Sequence, residues 1–348
     1  MKKVLLSVCL FLGLVTLSSC NEESVNITYT DSLGNEKTIA VEATEDQEVV
    51  QGVLDYANQA TYESVDEVSI QSGVSLSAVL NDDFVSLFPN LGGNTIQASA
   101  IANFDLNMKE GMSFSLAADA SIGNQNSAMY KLNAYYDGAL DSLTTINQNA
   151  YVDLSYGLKS SSGEDISFSL KKAILVEDIF DSIEDEIDIS QIPDFDSESI
   201  SIEEFKNLFP NSKIVISEVQ KGVIRIKLSV TILDIVNLIK EVGSNSEINE
   251  ILAVIQSIYD YTDLKKTIDF TFAIEAKTGR MCGYSVKLDD PDLLNLFLLY
   301  FQSEGLLPGI VTNLASVFNF EFELSISYEN VKVKKLSSSE KEQYKLNE

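Results

Sequence analysis

Between residues 94 and 172 apolar and polar positions alternate with a period of two. Ile96, Ala98, Ala100, Ala102, Phe104, Leu106 and Met108 form a first run, which Lys109-Glu110-Gly111 interrupts. Met112, Phe114, Leu116, Ala118, Ala120 and Ile122 form a second, closed by Gly123-Asn124-Gln125-Asn126. Ala128, Tyr130, Leu132, Ala134 and Tyr136 make a third, and Ala150, Val152, Leu154, Tyr156 and Leu158 a fourth. Ser160–Gly163 then turns the chain into Ile166, Phe168 and Leu170. Alternation of this kind marks strands with one buried and one wet face. The short breaks predict an antiparallel meander.

The flanks mix two periods. Ile27–Thr30 and Lys37–Val41 surround Asp31–Asn35, the pattern of a hairpin. Thr44 followed by Gln47 has capping-box spacing. Val49, Val50, Val53, Leu54 and Ala57 then predict a helix over about 45–60. Ile214–Ile216 and Val223–Val230 read as strands, and Ile232–Ile239 and Ile248–Ile258 as helices. Ile268–Ile274 pairs back through Lys277-Thr278-Gly279 to Cys282–Leu288. Asp290-Pro291 opens an apolar helix, Leu293–Phe301, too short to span a bilayer and suited to a lid, an interfacial helix or core. A short helix is expected through Val317, then a last strand, Phe318–Tyr328, and a flexible polar tail over 337–348.

Residues 177–204 are acidic, and Asp194, Asp196 and Glu198 alternate with other residues as Ca²⁺ ligands do. An EF-type loop would need Gly and Glu where Ser199 and Phe205 stand, so a solvated loop is the favoured reading and no metal site is assigned. Phe84–Asn90 and Phe205–Asn211 agree at five of seven positions. Either this is coincidence, or the domain expected over 45–336 has two related halves, 45–172 and 173–336.

The N-terminus changes the functional picture. Lys2 and Lys3 precede an apolar run, Val4–Leu17, of signal-peptide length, and Leu17-Ser18-Ser19-Cys20 resembles the lipobox of bacterial lipoproteins. That resemblance implies a signal over 1–19, an acylated Cys20 as the membrane anchor, and a tether with the N-terminal hairpin over 20–44. An ordinary signal with a plain thiol at Cys20 is the alternative. The localisation expected is the cell envelope, with the protein on the periplasmic or extracytoplasmic face.

Charge and composition narrow the chemistry. The formal charge of −29 opposes nucleic acid and anionic lipid headgroups. With Cys9 in the signal and Cys20 acylated, Cys282 alone remains, so the mature chain has no intramolecular disulfide. The chain contains no His, which removes Ser-His-Asp and Cys-His catalysis and His-containing metal sites. No catalytic cluster of carboxylates, Lys, Tyr or Ser stands out, and no cofactor is expected.

The order of parts resembles the LolA/LppX-like half-barrel lipoproteins: a lipobox, an N-terminal helix, a meander, then helices inserted between the last strands. The hairpin of Phe270–Ile274, Lys277-Thr278-Gly279 and Tyr284–Leu288 is similar to hairpins of that family. The resemblance implies binding of acyl chains under helical lids. The expected fold is α+β, a large curved antiparallel sheet covered by apolar helices. The expected function is non-catalytic binding or carriage of a lipid-like ligand, with a structural or interaction lipoprotein of filled core and acidic surface as the alternative. Candidate ligand contacts are Phe104, Phe114, Tyr136, Phe272, Phe297 and Phe301, and Ala98–Ala102 and Ala117–Ala120 leave room beside them.

Overall fold

A computed structural model describes residues 24–31, 33–62, 65–86, 93–123, 126–138, 149–159, 165–175, 202–235, 237, 265–291 and 315–346. Cys20, Phe297, Phe301, the connector up to residue 201, and the apolar helices expected over 248–258 and 293–301 lie outside them.

The alternating runs become β4 (Thr95–Asn107), β5 (Gly111–Ile122), β6 (Asn126–Tyr136), β7 (Asn149–Lys159) and β8 (Ile166–Leu175). They pair successively and antiparallel, as the short turns require. A second meander consists of β9 (Lys213–Gln220), β10 (Val223–Thr231), β11 (Thr267–Glu275), β12 (Met281–Leu288) and β13 (Ala315–Ser327). β3 (Glu67–Leu80) joins the two, pairing with β4 on one side and β13 on the other. The result is one large curved antiparallel sheet in an α+β fold, open at both edges rather than closed into a barrel. A two-residue β14 (Lys345–Leu346) is added parallel to β8.

The register keeps even-numbered apolar residues on one face across nearly the whole sheet. One row runs from Ile216 through Phe272, Leu324, Ala102 and Leu132 to Leu170, with Ser72 its polar member. At the β9–β11 end this face is filled. There β1 (Val25–Thr30), β2 (Glu36–Val41), α1 (Gln47–Asn58) and α3 (Ile202–Leu208) contribute Ile27, Val41, Val50, Val53 and Phe205 to a core with Ile216, Ile224, Ile226 and Ile274. The hairpin thus belongs to the core instead of standing apart with the tether. Gly52 allows the close approach, because a Cβ there would lie 2.7 Å from Ile39 Cδ1 and 2.8 Å from Tyr29 Oη.

Local chemistry fixes these elements. The N-cap of α1 is Asp46, whose carboxylate accepts from Glu48 N at 2.9 Å, and not the expected Thr44. Thr44 instead exchanges backbone hydrogen bonds with Ile216, and Gln47 reaches the Ile214 carbonyl. The two echo segments each begin in a short helix before a strand, α2 (Asp82–Ser86) and α3. In the second, the fully buried Asp234 accepts from Asn211 N, Asn211 Nδ2 and Ser212 Oγ at 2.9, 2.8 and 2.6 Å. That carboxylate is satisfied by the turn it holds, which is a structural task.

Two expectations at the C-terminus are corrected. Residues Ala315–Val317 open β13 rather than closing a helix, because they pair with Leu80 and Val79. The polar tail is also docked over its described part, 337–346. Val331, Val333, Leu336 and Tyr344 are buried, α4 (Ser338–Lys341) carries a full capping box on Ser337 and Glu340, and β14 seals against Lys172 and Ala173. This strap crosses the polar face, where Tyr135, Tyr151 and Ala173 supply an apolar footing beneath Leu336 and Tyr344. Lys341 bonds Asp137 at 2.9 Å, and Lys334 donates to Tyr135 Oη at 3.2 Å.

Candidate functional site

Beyond the filled end, the apolar face carries its smallest residues where β4 and β5 pair. Ala98 faces Ala120, Ala100 faces Ala118, and Ala128 of β6 follows Ala120. Larger side chains surround this strip: Val74, Leu76, Tyr130, Tyr156 and Phe320. The size difference leaves an open hollow of about 450 Å³. Ser99 and Asp119 also border it, but their positions alternate with the alanines, so their side chains belong to the opposite face, where Ser99 Oγ donates to Asp119 Oδ2 at 2.5 Å. The volume lies within the range of about 300–1,000 Å³ occupied by small-molecule sites.

The four described candidate contacts share the apolar face but do not converge. Phe104 and Phe114 face each other across β4 and β5. Phe272 is four strand steps from Phe104, about 19 Å at ordinary strand spacing. Its ring packs tilted against Tyr284 at 5.0 Å, which continues to Phe322 at 6.0 Å. Tyr136 is 2 % exposed and packs with Ala150 and Met112, making it a core residue. Its hydroxyl has no hydrogen-bond partner among the described residues, and burial raises its pKa. None of these four lines the alanine hollow, which Tyr130, Tyr156 and Phe320 frame instead. The signal that could have found them is the register itself, since all three fall in rows with the alanines.

A larger hollow, about 1030 Å³, lies along the polar face. It follows a register row from Lys287 and Glu321 through Ser75, Ser99 and Asp119 to Gly157 and Ser167. Serines and charged groups line it together with Met129, so a ligand there competes with water at most of its contacts. A third, about 500 Å³, holds Arg225, Glu323 and Cys282. Burial pushes the Cys282 thiol above its ordinary pKa, leaving it protonated and a poor nucleophile at neutral pH. Among the described residues no group of three or more acidic or Cys side chains is placed to hold a metal. No described helix is long and apolar enough to cross a membrane.

Arg280, one of two arginines in the chain, sits over Tyr62 at 5.9 Å and Tyr328 at 5.4 Å and donates through Nε to the Thr61 carbonyl. This clamps the loop after α1 to the sheet. Tyr328 Oη donates to the Met281 carbonyl at 2.8 Å, and burial raises its pKa to about 12. Both residues hold the scaffold together.

Comparison with known proteins finds no matching family model, no matching characterised protein and no matching solved structure. The geometry therefore carries the functional argument alone.

Proposed function

We propose that the chain is an envelope lipoprotein, tethered through an acylated Cys20, that binds an acyl-chain ligand on the apolar face without catalysing a reaction. The observation that supports this reading is the alanine-floored hollow of about 450 Å³. Each methylene moved from water onto such a surface gains about 0.8 kcal/mol. The Ser99 and Asp119 side chains belong to the opposite face and bond each other there, so an apolar ligand in the hollow strands no donor of theirs. A lipid anchor would hold the hollow close to a source of acyl chains.

Native mass spectrometry of the mature protein, purified gently from membranes, tests the proposal. The expected spectrum has a second series displaced by the mass of a lipid and removed by organic extraction. A single unliganded series, unchanged after incubation with phospholipid or fatty acid, contradicts it. That second outcome favours the interaction reading, which rests on the strong acidic charge.

A further inference from the structure

Over Ile166–Leu170 the edge strand β8 lacks, among the described residues, the devices that keep sheet edges apart. Edges are blunted by Lys, Pro, bulges or a covering element. Residues Ile166–Leu170 read Ile-Ser-Phe-Ser-Leu, and none of the five is charged or Pro. All five are exposed, with Ile166 at 55 %, Phe168 at 52 % and Leu170 at 43 %. Their pairing with β7 is regular. Among the described residues only β14 pairs with the outer side of β8, at Lys172 and Ala173.

The same segment is self-complementary. Two copies laid antiparallel about a two-fold axis at Phe168 put Ile166 opposite Leu170 and Ser167 opposite Ser169. The next pair outward sets exposed Asp165 against Lys171, at both ends of the contact. Cross-strand apolar and opposite-charge pairs of this kind stabilise antiparallel strands. On the apolar face, Tyr130, Tyr156 and Phe168 already lie in one register row. Pairing continues that row through Phe168 and Tyr156 of the second copy. β14 begins at the position where the partner strand would end, so it limits the register without blocking it.

We propose that β8 is a homodimerisation edge, joining two copies antiparallel about Phe168 into one continuous sheet. The interface is isologous, as two-fold dimers require. It is small, and the net charge of −29 per chain opposes it, so a weak micromolar dimer is expected.

Sedimentation velocity of the purified mature protein across the micromolar range reads the association. The wild type should show a concentration-dependent dimer. Asp165→Lys sets two lysines together at each end and should weaken it about tenfold, as should Lys171→Asp, while the double charge swap should restore it. Asp165 is exposed and has no ion pair or side-chain hydrogen bond among the described residues, so Asp165→Lys remains informative even if Lys171→Asp, which removes the 2.9 Å bond from Lys171 Nζ to Gln343 Oε1, loosens the strap. Phe168→Cys should form an intermolecular disulfide under mild oxidation. A monomer at every concentration, or a dimer that Asp165→Lys leaves unchanged and Phe168→Cys does not cross-link, overturns the proposal. Neither result bears on acyl-chain binding.

Discussion

Tyr136 shows how one side chain can be apolar by pattern and polar by chemistry. It occupies an inward position of β6, packs against Met112 and Ala150, and carries a hydroxyl with no described partner. Leaving such a group unpaired costs about 1–3 kcal/mol, so removing it should be favourable. Tyr136→Phe is expected to raise the unfolding free energy by about 1 kcal/mol, measured by chemical denaturation. A loss of similar size would mean that the hydroxyl has a partner. Asp234 is the contrasting case, a buried carboxylate with three short donors and no unmet demand. Burial alone therefore does not mark a functional residue here.

The C-terminal strap is the element whose behaviour depends most on pH. The Lys341 hydrogen bond, aided by Lys335, holds the Asp137 carboxyl below its usual range. A lowered carboxyl pKa stabilises the docked form above the ordinary carboxylate range, and that contribution is lost as pH falls through the folded value. Burial raises the Tyr344 pKa to about 12, so the docked form keeps it neutral. This contribution is complete below the ordinary value of 10 and is lost as pH rises from 10 to about 12. The strap should therefore release in acid through Asp137 and in alkali through Tyr344. Tyrosine ultraviolet absorbance followed through alkali should show late-titrating phenols in the wild type, Tyr328 and Tyr344 among them, and one fewer in Tyr344→Phe. Loss of all phenol protons together near pH 10 would contradict the docked strap.

Elements with one strong local period were legible before the fold was known. The five runs from Ile96 to Leu170 became β4–β8, and the stripe from Val49 to Ala57 became α1. β3 was not anticipated, although Val68, Ile70, Val74, Leu76, Ala78 and Leu80 keep period two across Glu67–Leu80. Ser72 and Gly73 interrupt that signal at its centre. The docking of the tail expected to be flexible over 337–348 is not legible, because within it Tyr344 is the one anchor among the four, and Val331, Val333 and Leu336 precede it. Its footing needs Tyr135, Tyr151 and Ala173 together, which only strand pairing brings about. Asp46 displaced Thr44 as cap because Thr44 was drawn into a bridge with Ile216. Long-range pairing decided each of these.

For the whole molecule, the division between a filled end and a hollowed middle of one apolar face matters most. The core around Ile224 and Val53 secures one end of the sheet. The alanine strip on β4 and β5 leaves room in the middle. The strip was visible in the sequence, but its frame of Tyr130, Tyr156 and Phe320 was not, because these come from β6, β7 and β13. The four described aromatic candidates, Phe104, Phe114, Tyr136 and Phe272, lie elsewhere on the face. The central claim is that this hollow receives an acyl chain. Binding of a fluorescent fatty acid to the mature wild type, Ala118→Leu and Ala117→Leu tests it most directly. Ala118 lines the hollow, while Ala117 is exposed on the opposite face. The account predicts saturable binding that Ala118→Leu weakens about tenfold and Ala117→Leu leaves unchanged. No saturable binding by the wild type, or equal effects of the two substitutions, would contradict it.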